Sequence, residues 1–179
     1  QCSIDPAIVK LVRLLKVPVV LYNIHGGYGV EPRWASNIRV GKSYGHVREI
    51  LSVEAIESMD NATLYEHIKN ALVVKEAPSD TPYHSKKQAE RLERVLFLCP
   101  ECNKTGGIYS QGKKVKCHHC GMETTYTNNL TFTNINFKTV DEWYTFQEDY
   151  INNYQFDGNN PIFKDDNVKI YDVSKGVRK

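Results

Sequence analysis

Two cysteine pairs, Cys99-Pro100-Glu101-Cys102 and Cys117-His118-His119-Cys120, stand with fourteen residues between them. A Cys-x-x-Cys pair curls into a knuckle that aims two thiolates at one ion, and a hairpin between the pairs brings the second set alongside the first. The spacing predicts a tetrahedral site of Cys99, Cys102, Cys117 and Cys120 with zinc as its ion, in preference to two disulfides or four free thiols. Such knuckles bend so tightly that the residue after the second cysteine takes a positive φ, which Gly121 adopts freely and Asn103 tolerates. Four thiolates leave no coordination position open for water, so the expected zinc is structural and not catalytic. His118 and His119 either replace a cysteine or stay outside the ligand set as solvated or supporting groups. Cys2 lies apart from the set.

The elements that must carry these knuckles are short. Val95 to Leu98 lead into the first, and Gly106-Gly107, Gln111-Gly112 and Lys113 to Lys116 read as turn and hairpin material. Tyr126 to Phe137 alternates Thr and Asn with larger residues, as closing strands would. The expected unit is a small four-cysteine zinc ribbon over residues 96–137, reached through a charged helix, Ser85 to Leu96, that follows a linker between Pro78 and Pro82. Beyond the ribbon, Thr139 and Glu142 form a capping box, and Trp143, Phe146, Tyr150 and Tyr154 then recur at helical spacing as a core-packing stripe. The tail from Asp157 on is turn-rich.

Upstream of the ribbon the pattern changes to that of an α/β domain. Asp5-Pro6 opens a helix over 6–16 with Ile8, Val9, Val12 and Leu15 on one face. Val17 to Ile24 is an apolar, β-branched run that fits a central parallel strand covered on both faces. Val47 to Val53 reads as another strand, Ser52 caps a short helical turn, and Asp60 caps a helix over 61–74 through Leu64, Ile68, Ala71 and Leu72. Between the strands lies His25-Gly26-Gly27-Tyr28-Gly29, followed by Arg33, Trp34, Arg39, Gly41 and Lys42. Glycines beyond a strand end let backbone amides approach an anion that arginines neutralise; equally, they make a tight turn packed around Trp34.

Composition bounds the rest. The chain has 179 residues, 41% of them hydrophobic, which permits a real core. No apolar run approaches the ~20 residues needed to span a bilayer. Cysteines in metal spacing point to a reducing, cytoplasmic compartment. Residues 84–119 carry +5 (eight Lys and Arg against three Glu) and residues 120–166 carry −6 (two Lys against eight Asp and Glu). A basic middle can meet nucleic acid or anionic headgroups, or simply solvate exposed faces and pair with the acidic tail. The chain opens on Gln1, and its first helix signal follows at once, which suggests that the natural start lies upstream.

The segment Val17-Pro18-Val19-Val20-Leu21-Tyr22-Asn23-Ile24-His25-Gly26-Gly27-Tyr28-Gly29, continued by Glu31-Pro32-Arg33-Trp34 and Arg39-Val40-Gly41-Lys42, resembles the C-terminal half of the glycerophospholipid acyltransferase family, which includes 1-acylglycerol-3-phosphate acyltransferases. Val17 to Val20 is similar to the family's fourth conserved block, and bacterial members with a zinc ribbon after it supply the context. The likeness covers roughly residues 4–75. It implies the C-terminal part of an acyltransferase-type α/β domain that moves an acyl group from a thioester donor to a lysophospholipid hydroxyl, at the inner membrane surface. The family's catalytic pair, a histidine and an aspartate separated by four residues, is absent here, as is its Pro-Glu-Gly-Thr phosphate motif, so both are expected upstream and the chain alone should be inactive.

The division expected on this basis is 1–77, part of the α/β domain; 78–95, linker and charged helix; 96–137, ribbon; and 138–179, helix and tail. No residue is assigned to catalysis. His25, Arg33 and Arg39 are the expected substrate contacts, the histidine as a polar contact and the arginines as phosphate forks. The competing class is a zinc-ribbon module that binds nucleic acid or a protein partner; with only Tyr109 and Tyr126 as stacking candidates, nucleic acid is the weaker expectation.

Overall fold

A computed structural model of the chain describes residues 4–155, together with the backbone of 171–172 and 177–178; Cys2 and most of the expected tail lie outside the described residues. At the N-terminal end the expected signals act locally. Asp5 Oδ1 accepts the Ala7 N–H at 2.8 Å, α1 runs Ala7–Leu15, and Lys16 stops it in the left-handed region at φ 48°. Ser52 Oγ accepts the Ala55 N–H ahead of α3 (Val53–Ser58). Asp60 Oδ1 accepts the Thr63 N–H at 2.9 Å ahead of α4 (Asn61–Ala71). For numbering, α2 is the single turn Gly27–Val30.

Strand β1 (Val19–His25) pairs with β2 (Tyr44–Leu51) and with no other strand among the described residues, and the pairing is antiparallel, from Val19↔Leu51 to His25↔Tyr44. An irregularity between Leu21 and Tyr22 leaves Arg48 out of the register. The inner face of this ribbon lays Leu21 and Leu51 against Val9, Val12, Ile56, Leu64 and Ile68, which form the first core. On the same side His67 Nε2 meets Glu49 Oε2 at 2.8 Å, and Asn23 Nδ2 donates to the Ala71 carbonyl. The outer face carries Val20, Tyr22, Ile24, Val47 and Ile50, all about half exposed or more.

The expected central parallel strand is therefore corrected. The apolar run is real, but its burial alternates, and only one face has a cover. Two antiparallel strands alone are marginal in water, so α1, α3 and α4 on the inner face are what hold this one.

The second core draws on distant parts of the chain. In the ribbon, β3 (Ile108–Gln111), β4 (Lys114–Cys117) and β5 (Glu123–Thr125) form an antiparallel sheet in chain order. The segment expected to supply closing strands, 126–137, forms instead a loop with one bridge, Tyr126↔Phe132. Trp34 and Tyr83 pack into the same core as Leu96, Leu98, Cys99, Cys117, Tyr126, Phe132 and Trp143. The division at residue 77 thus does not follow the cores, because the loop after β1 belongs with the ribbon.

Residues 78–95 are neither linker nor charged helix. Ser79 and Tyr83 N–H donate to the Asn129 and Asn128 carbonyls, His84 pairs with Val40, and the Ala89 N–H donates to Gly112. Gln88, Ala89, Leu92 and Leu96 are fully buried, Arg91 sits at φ 71°, and only a 3-10 turn, Leu92–Arg94, remains of the helix. Helix propensity lost here to burial and to backbone partners on other segments.

Helix α5 (Val140–Asn152) starts as expected, with Thr139 Oγ1 accepting the Glu142 N–H and Glu142 Oε2 accepting the Lys138 N–H. Trp143 is fully buried, and its Nε1 donates to the Leu98 carbonyl at 2.9 Å. One turn on, Gln147 accepts the Phe97 and Leu98 N–H groups through Oε1 and donates to the Val95 carbonyl through Nε2. A glutamine has thus taken the role of a neighbouring strand for residues 95–98. By contact the chain forms two units, Gln1–Gln147 and Glu148–Lys179; the second contains the end of α5, where the Tyr150 and Tyr154 rings meet at 5.7 Å and a 38° tilt, and the antiparallel pair β6 (Tyr171–Asp172) and β7 (Val177–Arg178). Among the described residues no helix is long and apolar enough to cross a membrane.

Candidate metal centre

The two knuckles are built on one hydrogen-bond plan. Cys99 N–H donates to Lys104 O and Asn103 N–H to Cys99 O; Cys117 N–H donates to Met122 O and Gly121 N–H to Cys117 O. Asn103 stands at φ 52° and Gly121 at φ 77°, the left-handed conformation that the spacing requires.

The four sulfurs lie within 4.8 Å of one another, with Cys99 to Cys120 at 3.6 Å and Cys102 to Cys117 at 3.9 Å. A tetrahedral ion bonded to sulfur at about 2.3 Å spaces its ligands roughly 3.8 Å apart, so this donor set can hold a metal ion. Cys99 and Cys117 are buried in the second core, Cys102 is partly covered and Cys120 reaches solvent. Burial pushes the Cys99 thiol up to about 12, so without an ion that sulfur stays protonated at neutral pH. An ion that displaces its proton gains affinity as pH rises.

Neither histidine completes the set. The His118 ring stacks on Tyr109 at 3.9 Å and 12°, while His119 Nε2 faces the Thr105 carbonyl at 3.2 Å. A Cβ at Gly107 would stand 2.3 Å from the His119 ring, so any larger residue there would push that exposed ring aside.

The three expected substrate contacts occupy three different environments. His25, at the end of β1, stacks on Tyr44 at 5.0 Å and lies 5.1 Å from His46. Arg33 is exposed on the turn after α2. Arg39 is only 1% exposed. Its Nη2 donates to the Gln88 carbonyl at 2.7 Å and its Nη1 to Gly29 at 3.4 Å, and its guanidinium lies 5.9 Å and 5.6 Å from the Trp34 and Tyr126 ring centres. The expectation that Arg39 grips phosphate is corrected: its fork is spent on neutral carbonyls and aromatic faces inside the second core, where it fastens the loop after β1.

The glycines of that loop have the same explanation. Built Cβ atoms at Gly29 and Gly41 would stand 2.3 Å and 2.2 Å from the Tyr83 ring, and one at Gly26 would meet the Lys42 carbonyl at 2.1 Å. Packing, not anion approach, accounts for these three; a Cβ at Gly27 would meet only Ile24, at 3.8 Å. Gly41→Ala should cost about 1–3 kcal/mol, since a buried ring cannot yield, and most of that cost should vanish in a Tyr83→Ala background when both are measured by chemical denaturation. Additive losses would show that the ring is not the obstacle.

The surface for nucleic acid is poor. Tyr126 is fully buried, and Lys114 and Lys116 both pair with Glu123. The hydrogen bonds from Lys114 and Lys116 hold that carboxyl down at about 2.

No protein-family model, curated protein or solved structure matches the chain.

Proposed function

We propose that this chain is the C-terminal, zinc-stapled part of a lysophospholipid acyltransferase, the catalytic histidine and aspartate being supplied by polypeptide that covers the outer face of β1–β2. The observation that carries this reading is the uncovered apolar face of Val20, Tyr22, Ile24, Val47 and Ile50, on the segment that resembles the family. An apolar run in a sheet is stable when both faces are covered, and layered α/β architectures supply that second cover. Zinc is the ion that fits four thiolates closed around one point, and its role is to hold the ribbon. The substrates are an acyl thioester and a 1-acylglycerol-3-phosphate-like acceptor, with Arg33 as its phosphate contact and His25 as a separate polar contact at the end of β1.

The test is acyl transfer to a lysophospholipid by the intact protein, with this chain alone as the comparison. The chain alone should transfer nothing. In the intact protein, Tyr22→Asp on the outer face should lower turnover at least tenfold, and Arg33→Ala should raise the KM for a phosphorylated acceptor with little change in kcat. An intact, zinc-loaded protein that transfers no acyl group from either a coenzyme A or a carrier-protein thioester would remove the reading.

A further inference from the structure

We infer that occupancy of the four-cysteine site controls the order of residues 26–43, the loop that carries Arg33, so that metal loading at the ribbon sets whether that loop is held in place. Metal binding is the only part of the proposal above on which this coupling rests; acyl transfer is not needed for it.

The physical connection is continuous. Cys99 and Cys117 share the second core with Tyr126 and Trp34. Tyr126 is tied by its N–H to Lys113 at the hairpin turn, and two residues on Asn128 accepts the Tyr83 N–H. Tyr83 is the ring on which Gly29 and Gly41 close. Arg39 spans the same junction, with one fork on Gly29, the other on Gln88, and its guanidinium against Tyr126 and Trp34. The Val40 and His84 backbones bond to each other in both directions, at 3.0 Å and 2.7 Å. Every one of these partners on the far side belongs to residues 83–132, whose packing depends on the knuckles.

The loop has little else to hold it. Its backbone bonds to itself are Val30 N–H to Gly26, Glu31 to Gly27, Ala35 to Pro32 and Arg39 to Val30, and its ties outside the ribbon include Glu76 accepting the Gly29 N–H and Ser43 Oγ donating to the His25 carbonyl. No residue of the loop is in the first core. Removing the ion therefore takes away the loop's platform while leaving Val9, Leu21, Leu64 and Ile68 packed. The coupling uses a shared core, not a remote relay, so its size is set by how far the ribbon opens.

Hydrogen exchange of the full 179-residue chain, read by mass spectrometry with Zn2+ bound and after chelation, tests this. Metal content is measured first. The amides of Val30, Arg39 and Val40 should exchange at least tenfold faster once zinc is removed, together with those of the ribbon, while α4 amides such as Leu64 keep their protection. Cys120→Ser, which alters only the exposed ligand, should give an intermediate result in the same three amides. Faster exchange confined to residues 96–135 would overturn the inference, and so would loss of protection throughout α4, since the loop would then follow global unfolding. A chain that binds no zinc overturns it along with the metal reading. Zinc binding with an unchanged loop overturns it alone.

Discussion

Stripping the ion with a strong chelator should collapse the ribbon and its loop while helices α1 and α4 persist, and Cys117→Ser should do the same without chelator. One ion per chain should be found in the native protein by elemental analysis, and none in the variant. Structural zinc in small thiolate sites contributes about 10–16 kcal/mol of apparent binding free energy, as much as the whole stability of a domain, about 5–15 kcal/mol, so partial unfolding is the expected outcome and not a small shift in midpoint. The gain should fall as pH drops, because burial already holds the Cys99 thiol up to about 12, and protons compete with the ion for that sulfur. A chain whose circular dichroism and melting are the same with and without chelator would exclude a structural metal.

Trp143→Ala is the second large effect, expected at about 3–5 kcal/mol from loss of a fully buried indole. The ring meets Phe132 edge-on at 5.2 Å and donates to Leu98, the residue before Cys99. Trp143→Phe separates the two contributions: it keeps most of the packing and leaves the Leu98 carbonyl without its partner, for about 1–3 kcal/mol. Denaturant titrations with zinc held saturating keep the metal constant between variants. A Trp143→Phe loss equal to that of Trp143→Ala would show that the hydrogen bond dominates, and negligible loss in both would contradict the packing described above.

What could be read from the residues in advance was what they decide locally. The knuckles, the left-handed Asn103 and Gly121, and the Ser52, Asp60 and Thr139 caps each depend on neighbours within five positions, and each stands where its pattern places it. The misreadings came from distant partners. Lys, Glu and Arg from 85 to 96 favour helix, but four fully buried residues and a bond to Gly112 wind that segment into the ribbon. Arg39 beside glycines reads as an anion site until Trp34 and Tyr126 are seen to close over it. Tyr126, a stacking candidate by composition, is core. Gln147 was missed, although it follows Trp143 by four residues, where a polar residue on the buried side of α5 has backbone to satisfy. The apolar run at β1 was read as a parallel strand covered on both faces, whereas it pairs antiparallel and only its inner face is covered.

The Gln147 amide has a consequence for how the protein is made. The backbone it clamps, Val95 to Leu98, leaves the ribosome about fifty residues before the glutamine does. During synthesis the first knuckle therefore emerges beside a stretch whose N–H groups have no permanent acceptor, and both knuckles are out before α5 is complete. Ion capture can thus precede closure of this part of the core, and a chain truncated before Gln147 should be able to load metal without sealing around it.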